Sequence, residues 1–89
     1  MPDADATSSP QWYVYVVRCA DTTLYTGIAA DLHARIAQHN AGRGAKYTQS
    51  RRPVTLVYQE TVADRGAALR REHQIKRLAP RAKRTLVSG

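Results

Sequence analysis

The stretch Trp12-Tyr13-Val14-Tyr15-Val16-Val17 is β-branched or aromatic at every position, a composition that fits a pleated, half-buried strand. Alternation sends Tyr13 and Tyr15 to one face and Trp12, Val14 and Val16 to the other, so one face carries a pair of tyrosines. Ala20-Asp21-Thr22-Thr23 is turn-like, and Leu24-Tyr25-Thr26-Gly27-Ile28 predicts a second short strand. The two strands pair most simply as an antiparallel hairpin, which brings Tyr25 near Tyr13 or Tyr15.

Downstream of the hairpin, Asp31 is a good N-cap for Leu32-His33-Ala34-Arg35-Ile36-Ala37-Gln38-His39, where Leu32 and Ile36 share a stripe and Asn40-Ala41-Gly42 ends the helix. Gly42 to Pro53 reads as an irregular basic loop containing Lys46, Tyr47, Arg51 and Arg52, and Val54 to Glu60 as a third strand. Asp64 caps a second helix running to about Leu78, which Pro80 breaks. Residues 80–89 are expected to be a basic tail or a short helix, and residues 1–11, with no periodicity, a disordered leader. The order β-β-α-β-α over residues 12–79 predicts a small α+β domain, a sheet with helices packed on it.

The 89 residues suffice for one modest core, and 43% hydrophobic content allows folding without a staple. One cysteine, Cys19, excludes an internal disulfide and a multi-cysteine zinc site and fits a reducing compartment, so a cytoplasmic location is expected. Nothing in the chain reads as a secretory signal or a membrane helix, and no membrane partner is expected. The formal net charge is +7. Much of it is concentrated between Asp64 and Arg84, where eight basic residues face two acidic ones. Such a patch favours a polyanion, because each neutralised phosphate releases condensed counterions; a solvated helix face or another anionic surface is the alternative.

Two features point to chemistry. On the second helix a wheel groups Ala67, Ala68, Leu69, Ile75 and Leu78 into an apolar arc with Glu72 inside it. A carboxylate there needs a cation, either a metal ion or a neighbouring basic side chain. On the first helix Asp31, Arg35 and His39 are spaced four apart, so Arg35 and His39 can address one ligand, or Asp31 and Arg35 can simply pair. The lone Cys19, the Gly42-Arg43-Gly44 turn and the three histidines match no thiol, dinucleotide or zinc motif.

Tyr13-Val14-Tyr15, then Tyr25-Thr26-Gly27, then Arg35, His39 and a later helical Glu72 resemble the GIY-YIG nuclease superfamily. The likeness covers about Trp12 to Leu78. Gly44-Ala45-Lys46-Tyr47-Thr48, Arg51-Arg52-Pro53 and Leu56-Val57-Tyr58 are similar to the small stand-alone YhbQ-like bacterial branch. The resemblance implies a three-stranded antiparallel sheet flanked by helices, with Tyr15, Tyr25, Arg35, His39 and Glu72 as catalytic residues and Glu72 as metal ligand. Tyr13 stands where the family's glycine would be and Thr26 where its isoleucine would be. Ile28 holds a position that is lysine in some relatives.

On that resemblance the chain is expected to be a phosphodiester endonuclease acting on nucleic acid, DNA before RNA, in repair or processing, with a single Mg²⁺ or Mn²⁺. Tyr25 is expected to be the general base or water-orienting phenol with Tyr15 in support, Arg35 the phosphate clamp, and His39 a phosphate contact or proton carrier. Lys46, Tyr47, Arg51, Arg52, Arg70, Arg71, Arg77 and Lys83 are the expected nucleic-acid contacts. With no second domain, specificity falls to the loop or to a protein partner. The competing readings are a non-catalytic nucleic-acid-binding module of the same fold and a small basic protein that docks on another protein.

Overall fold

The computed structural model describes residues 11–88. All but the last residue of the expected leader lie outside them. The predicted hairpin is formed by β1 (Trp12–Arg18) and β2 (Leu24–Ala29), antiparallel, with Tyr15 opposite Gly27 and Val17 opposite Tyr25. Its turn closes through Cys19 N–H to Thr23 O at 2.8 Å and Thr22 N–H to Cys19 O at 2.9 Å, with Thr22 in the left-handed region at φ 71°.

The third strand, β3 (Thr55–Val62), pairs antiparallel on the other side of β1, giving the order β2-β1-β3. It runs two residues past the expected end at Glu60, because Trp12 still has a partner in Val62. As the central strand, β1 is the most protected, with Val14 through Val17 fully buried.

The alternation read from β1 divides the core in two. On one face Tyr15, Val17, Cys19, Ala29 and Val54 pack with Tyr25, Leu32 and Ile36. The last two come from α1 (Leu32–Asn40), whose Asp31 N-cap accepts from Ala34 N–H. On the other face Val14, Val16, Ala68 and Ile75 pack with Ile28, Leu86 and Val87 among others. Here lie α3 (Arg65–Lys76), capped by Asp64 accepting from Ala67 N–H, and α4 (Pro80–Ser88).

Two expectations change, and the alternative left open for residues 80–89 is settled as the short helix. The basic loop is not wholly irregular: it contains one helical turn, α2 (Lys46–Gln49), closed by the Thr48 hydroxyl donating to Ala45 O at 2.9 Å. The loop is tied to the hairpin turn by Ala20 N–H to Arg51 O and by Arg51 Nε to Asp21 Oδ2, and to α1 by the Asn40 side chain, which bonds both backbone groups of Val54. The tail is helical, since Leu86 and Val87 give it an apolar stripe to dock. The apolar arc of α3 is narrower than its wheel: Leu69 is left 40% exposed, and Leu78, 36% exposed, lies beyond the end of the helix at Lys76. Ala68 and Ile75 alone are buried there. A helix lying across a sheet touches it along one stripe, and that stripe is Ala68, Glu72 and Ile75.

Candidate active site

The tyrosine face of the sheet meets α1 and α2 at His39, a fully buried imidazole with both ring nitrogens engaged. Nε2 lies 2.7 Å from the Tyr15 hydroxyl and Nδ1 lies 2.9 Å from Thr48 Oγ1. The proton positions follow from the outer end of the chain. The single hydroxyl proton of Thr48 goes to Ala45 O, so Thr48 accepts from His39 Nδ1–H. A neutral ring then has its lone pair on Nε2, and Tyr15 must donate to it. Burial, and after it the positive charge of Arg35, holds the His39 pKa below its ordinary value, which keeps the ring neutral.

Two glycines make room for this assembly. The Tyr15 phenol lies across Gly27, where a Cβ would stand 2.5 Å from Oη and 2.7 Å from Cζ. Gly44 lies against the His39 ring and backbone, where a Cβ would come within 2.9 Å of Cα. The second-motif glycine and the loop glycine are therefore steric requirements of the Tyr15–His39 contact.

Tyr25, half-buried, stands beside the pair with its ring 5.5 Å from His39, edge to face. It stacks on Tyr47 of α2 at 5.8 Å, and the Arg51 guanidinium lies 4.1 Å from the Tyr47 centroid. From α3, Lys76 Nζ lies 5.8 Å from the Tyr25 centroid and 3.2 Å from Glu72 Oε2. Burial pushes the Tyr15 phenol above its ordinary range. Arg35 lies close enough to pull it back, while the charges of Tyr25 and Glu72 push it further up. Tyr15, Tyr25, Arg35, His39 and Glu72 thus gather in one region, from four elements.

Arg35 is incompletely satisfied. One Nη donates to Gln38 at 3.1 Å, but Nε is buried and is the one buried side-chain nitrogen or oxygen among the described residues with no hydrogen-bond partner. A guanidinium N–H in that state wants an anionic acceptor. Glu72 is 18% exposed and held by Lys76, which is the ion-pair alternative of the wheel reading. Among the described residues no three histidine, cysteine, aspartate or glutamate side chains cluster as a ready cation cage.

The expected nucleic-acid contacts fall into groups. Tyr47 and Arg51 are engaged in the stack, and Arg52 donates to Gln49 O and Asn40 O. Arg71 is committed to Glu60, with Nε 2.9 Å from Oε1, and Glu60 also accepts from the Tyr58 hydroxyl. Lys46, Arg70 and Arg77 are exposed, and Lys83 lies on α4. Ile28 faces the aliphatic core, so the position occupied by lysine in some relatives is here a packing residue, and the cation near Tyr25 is Lys76. Sequence reasoning missed the roles of Thr48 and Gly44 at His39. The Thr48 hydroxyl sits nine residues from His39 and only the fold pairs them.

No described helix is long and apolar enough to cross a membrane. The model of the GIY-YIG catalytic domain family matches residues 11–84. A UPF0213 protein of Desulfotalea psychrophila is 57% identical over 84 residues, covering 93% of this chain and 76% of the relative. One from Staphylococcus haemolyticus is 52% identical over 75 residues, covering 84% and 92%. The solution structure of a UPF0213 protein from Bacillus halodurans superposes with a TM-score of 0.57 at 41% identity, over 88% of this chain and 83% of that one. With its paired tyrosine motifs on adjacent strands and its Arg35, His39 and Glu72 gathered beside them, this chain belongs to the GIY-YIG catalytic domain family, in its small UPF0213 (YhbQ-like) branch.

Proposed function

We propose that the protein is an endonuclease that hydrolyses phosphodiester bonds of nucleic acid, DNA in the first place, at the Tyr15–Tyr25–Arg35–His39–Glu72 site. The observation that carries this reading is Arg35: a buried Nε–H without an acceptor among the described residues, in a side chain close to the Tyr15 phenol, is a receptor for a phosphate oxygen. Bound there, a scissile phosphate has its developing negative charge met by a group already in place.

Tyr25 is the phenol at the surface of the site, while Tyr15 is fully sealed, so Tyr25 is the one that can touch and orient the attacking water. Tyr15 and His39 stand behind it as a positioning pair: the bond from Tyr15 to His39 fixes the imidazole edge against which Tyr25 rests. Of the two roles expected for His39, direct contact with phosphate has no free ring nitrogen to make it.

Glu72 would hold a divalent ion, Mg²⁺ or Mn²⁺. A single partly buried carboxylate supports this, because these ions bind through one or two carboxylates completed by substrate phosphate and water, and Lys76 is a cation that one could replace. Such an ion supplies charge neutralisation at the phosphate and leaving oxygens. Repair or processing of DNA is the setting this chemistry fits, with a protein partner supplying specificity.

The test is cleavage of a panel of duplex, single-stranded, nicked, flapped and branched substrates with Mg²⁺, Mn²⁺ or EDTA, for the native protein and for Arg35→Ala and Tyr25→Phe. Metal-dependent cutting that falls at least about 100-fold in both variants while binding persists is expected. Binding without cleavage of any substrate would make the protein a non-catalytic module, and full activity in Tyr25→Phe would refute the water-orienting role of Tyr25.

A further inference from the structure

Lys76 reaches the site just described, but part of the basic charge of the C-terminal third lies elsewhere. Arg18, at the end of β1, and Arg81, Lys83 and Arg84, on α4, line a groove of about 800 Å³ between the hairpin turn and α4, with Thr22 and Thr23 of the turn also lining it. No carboxylate lines it. None of its four cations takes part in an ion pair among the described residues, and Asp21, the closest carboxylate in sequence, is bonded to Arg51 and to Thr23. Leu24 and Val87, which also line the groove, pack against the aliphatic core, so its base is fixed to the fold. Four uncompensated positive charges facing one concavity repel one another and concentrate the protein's field there, an arrangement that a polyanion relieves.

The position of the groove matters as much as its charge. Leu24 and Tyr25 are successive residues of β2 and point to opposite faces of the sheet. Leu24 lines the groove, and Tyr25 belongs to the site. The groove thus opens on the α3 and α4 side of the sheet and the tyrosines on the other, with Lys76 and Glu72 of α3 reaching the Tyr25 side, in a molecule whose shortest extents are 28 and 21 Å. A straight stiff duplex lying on one face does not reach the other.

We propose that this groove is a second site for a nucleic-acid phosphate backbone, and that the protein grips two arms of a branched or sharply bent substrate, one on each side of the sheet. The inference rests on the nuclease reading for the arm at Tyr25 and Arg35; the groove itself is argued from its charge and place. Its contacts are to backbone and carry no base sequence, so selectivity is for the shape of the nucleic acid.

The experiment measures affinity against salt concentration, in EDTA so that nothing is cut, for a three-way DNA junction and a linear duplex of equal base-pair number. The proteins are the native chain, Arg81→Gln/Arg84→Gln, and the quadruple variant that adds Arg18→Gln and Lys83→Gln. Arg18, Arg81 and Arg84 are exposed and have no ion pair among the described residues, and melting curves check that each variant is folded. Each lost phosphate contact lowers the slope of log affinity against log salt by about 0.9. A slope reduced by roughly two to four on the junction, with affinity down at least tenfold, and little change on the linear duplex is the expected result. Unchanged slopes on both DNAs, or equal losses on both, overturn the two-arm proposal. A native protein that binds neither DNA overturns the nucleic-acid reading itself, whereas junction binding that survives in the variants overturns only the groove.

Discussion

Replacing Thr48 by valine tests the proton logic of the site directly. The change keeps the shape of the side chain and removes one hydroxyl from a buried position. In the native protein that hydroxyl accepts from His39 Nδ1–H at 2.9 Å and donates to Ala45 O at 2.9 Å. In Thr48→Val the Nδ1–H has no acceptor. If the ring proton moves to Nε2 instead, it meets a Tyr15 hydroxyl whose own proton must then find another partner, so one buried polar group is orphaned in either tautomer. An orphaned buried group costs about 1–3 kcal/mol. For a domain of 60 to 100 residues, where 1 kcal/mol moves the melting temperature by about 4–8 °C, a cost near 2 kcal/mol is a fall of roughly 8–16 °C. Thr48→Ser keeps the hydroxyl and removes one methyl, costing about 0.8 kcal/mol. Thermal melts of the three proteins, with the His39 tautomer read from long-range proton–nitrogen correlations, give two independent readouts. A native ring protonated on Nε2, or Thr48→Val melting together with Thr48→Ser, would refute the assignment of Tyr15 as the donor.

The remaining predictions concern the same region. Gly27→Ala puts a methyl 2.5 Å from the Tyr15 hydroxyl and should cost about 1–3 kcal/mol by overpacking, together with cleavage; a melt within 2 °C of native would show that the phenol has room to move. Because burial and Arg35 depress the His39 pKa in the fold, the unfolded chain binds the proton first. Stability contributed by neutral His39 is therefore fully present above its ordinary value of about 6.5 and is lost as pH falls from there toward the folded value, by at most about 1.4 kcal/mol per unit. An NMR titration of His39 with its midpoint above 6.5 would reverse that sign. Glu72→Gln should abolish Mn²⁺ binding and metal-dependent cleavage while moving stability by no more than about 0.5 kcal/mol, since its lysine partner is half exposed; a loss of several kcal/mol with cleavage preserved would make the carboxylate structural.

The parts of the fold that the sequence discloses are those with a short period. Tyr15 and Val16 part company because a strand alternates every residue, and that local rule separates the two cores and puts the tyrosines on the side of Arg35 and His39. Asp31 and Asp64 announce their helices because a cap is decided within three residues. Glu72 stands out on a wheel for the same reason, although the wheel overstated the apolar arc: Leu69 looks like core in a projection that knows nothing of how narrow a stripe the sheet covers, and Leu78 lies past the helix end at Lys76.

What stays hidden depends on closure between distant segments. The loop from Gly42 to Pro53 has no periodicity, so its composition suggests only a basic nucleic-acid contact. In the fold its first task is internal: Gly44 admits the His39 ring, Thr48 sets that ring's tautomer, and Tyr47 stacks on Tyr25 with Arg51 against its face. Arg51 and Arg71 count toward the net charge, yet each is held by a carboxylate, at Asp21 and Glu60. Net charge is additive along a chain, but free charge is set by folding, and here folding removes cations from the loop and the middle of α3 while leaving those on α4 without an ion pair among the described residues. The surface most able to hold a polyanion is accordingly not the one nearest the reacting groups, and how tightly a substrate binds and how well it is cut should respond to different residues.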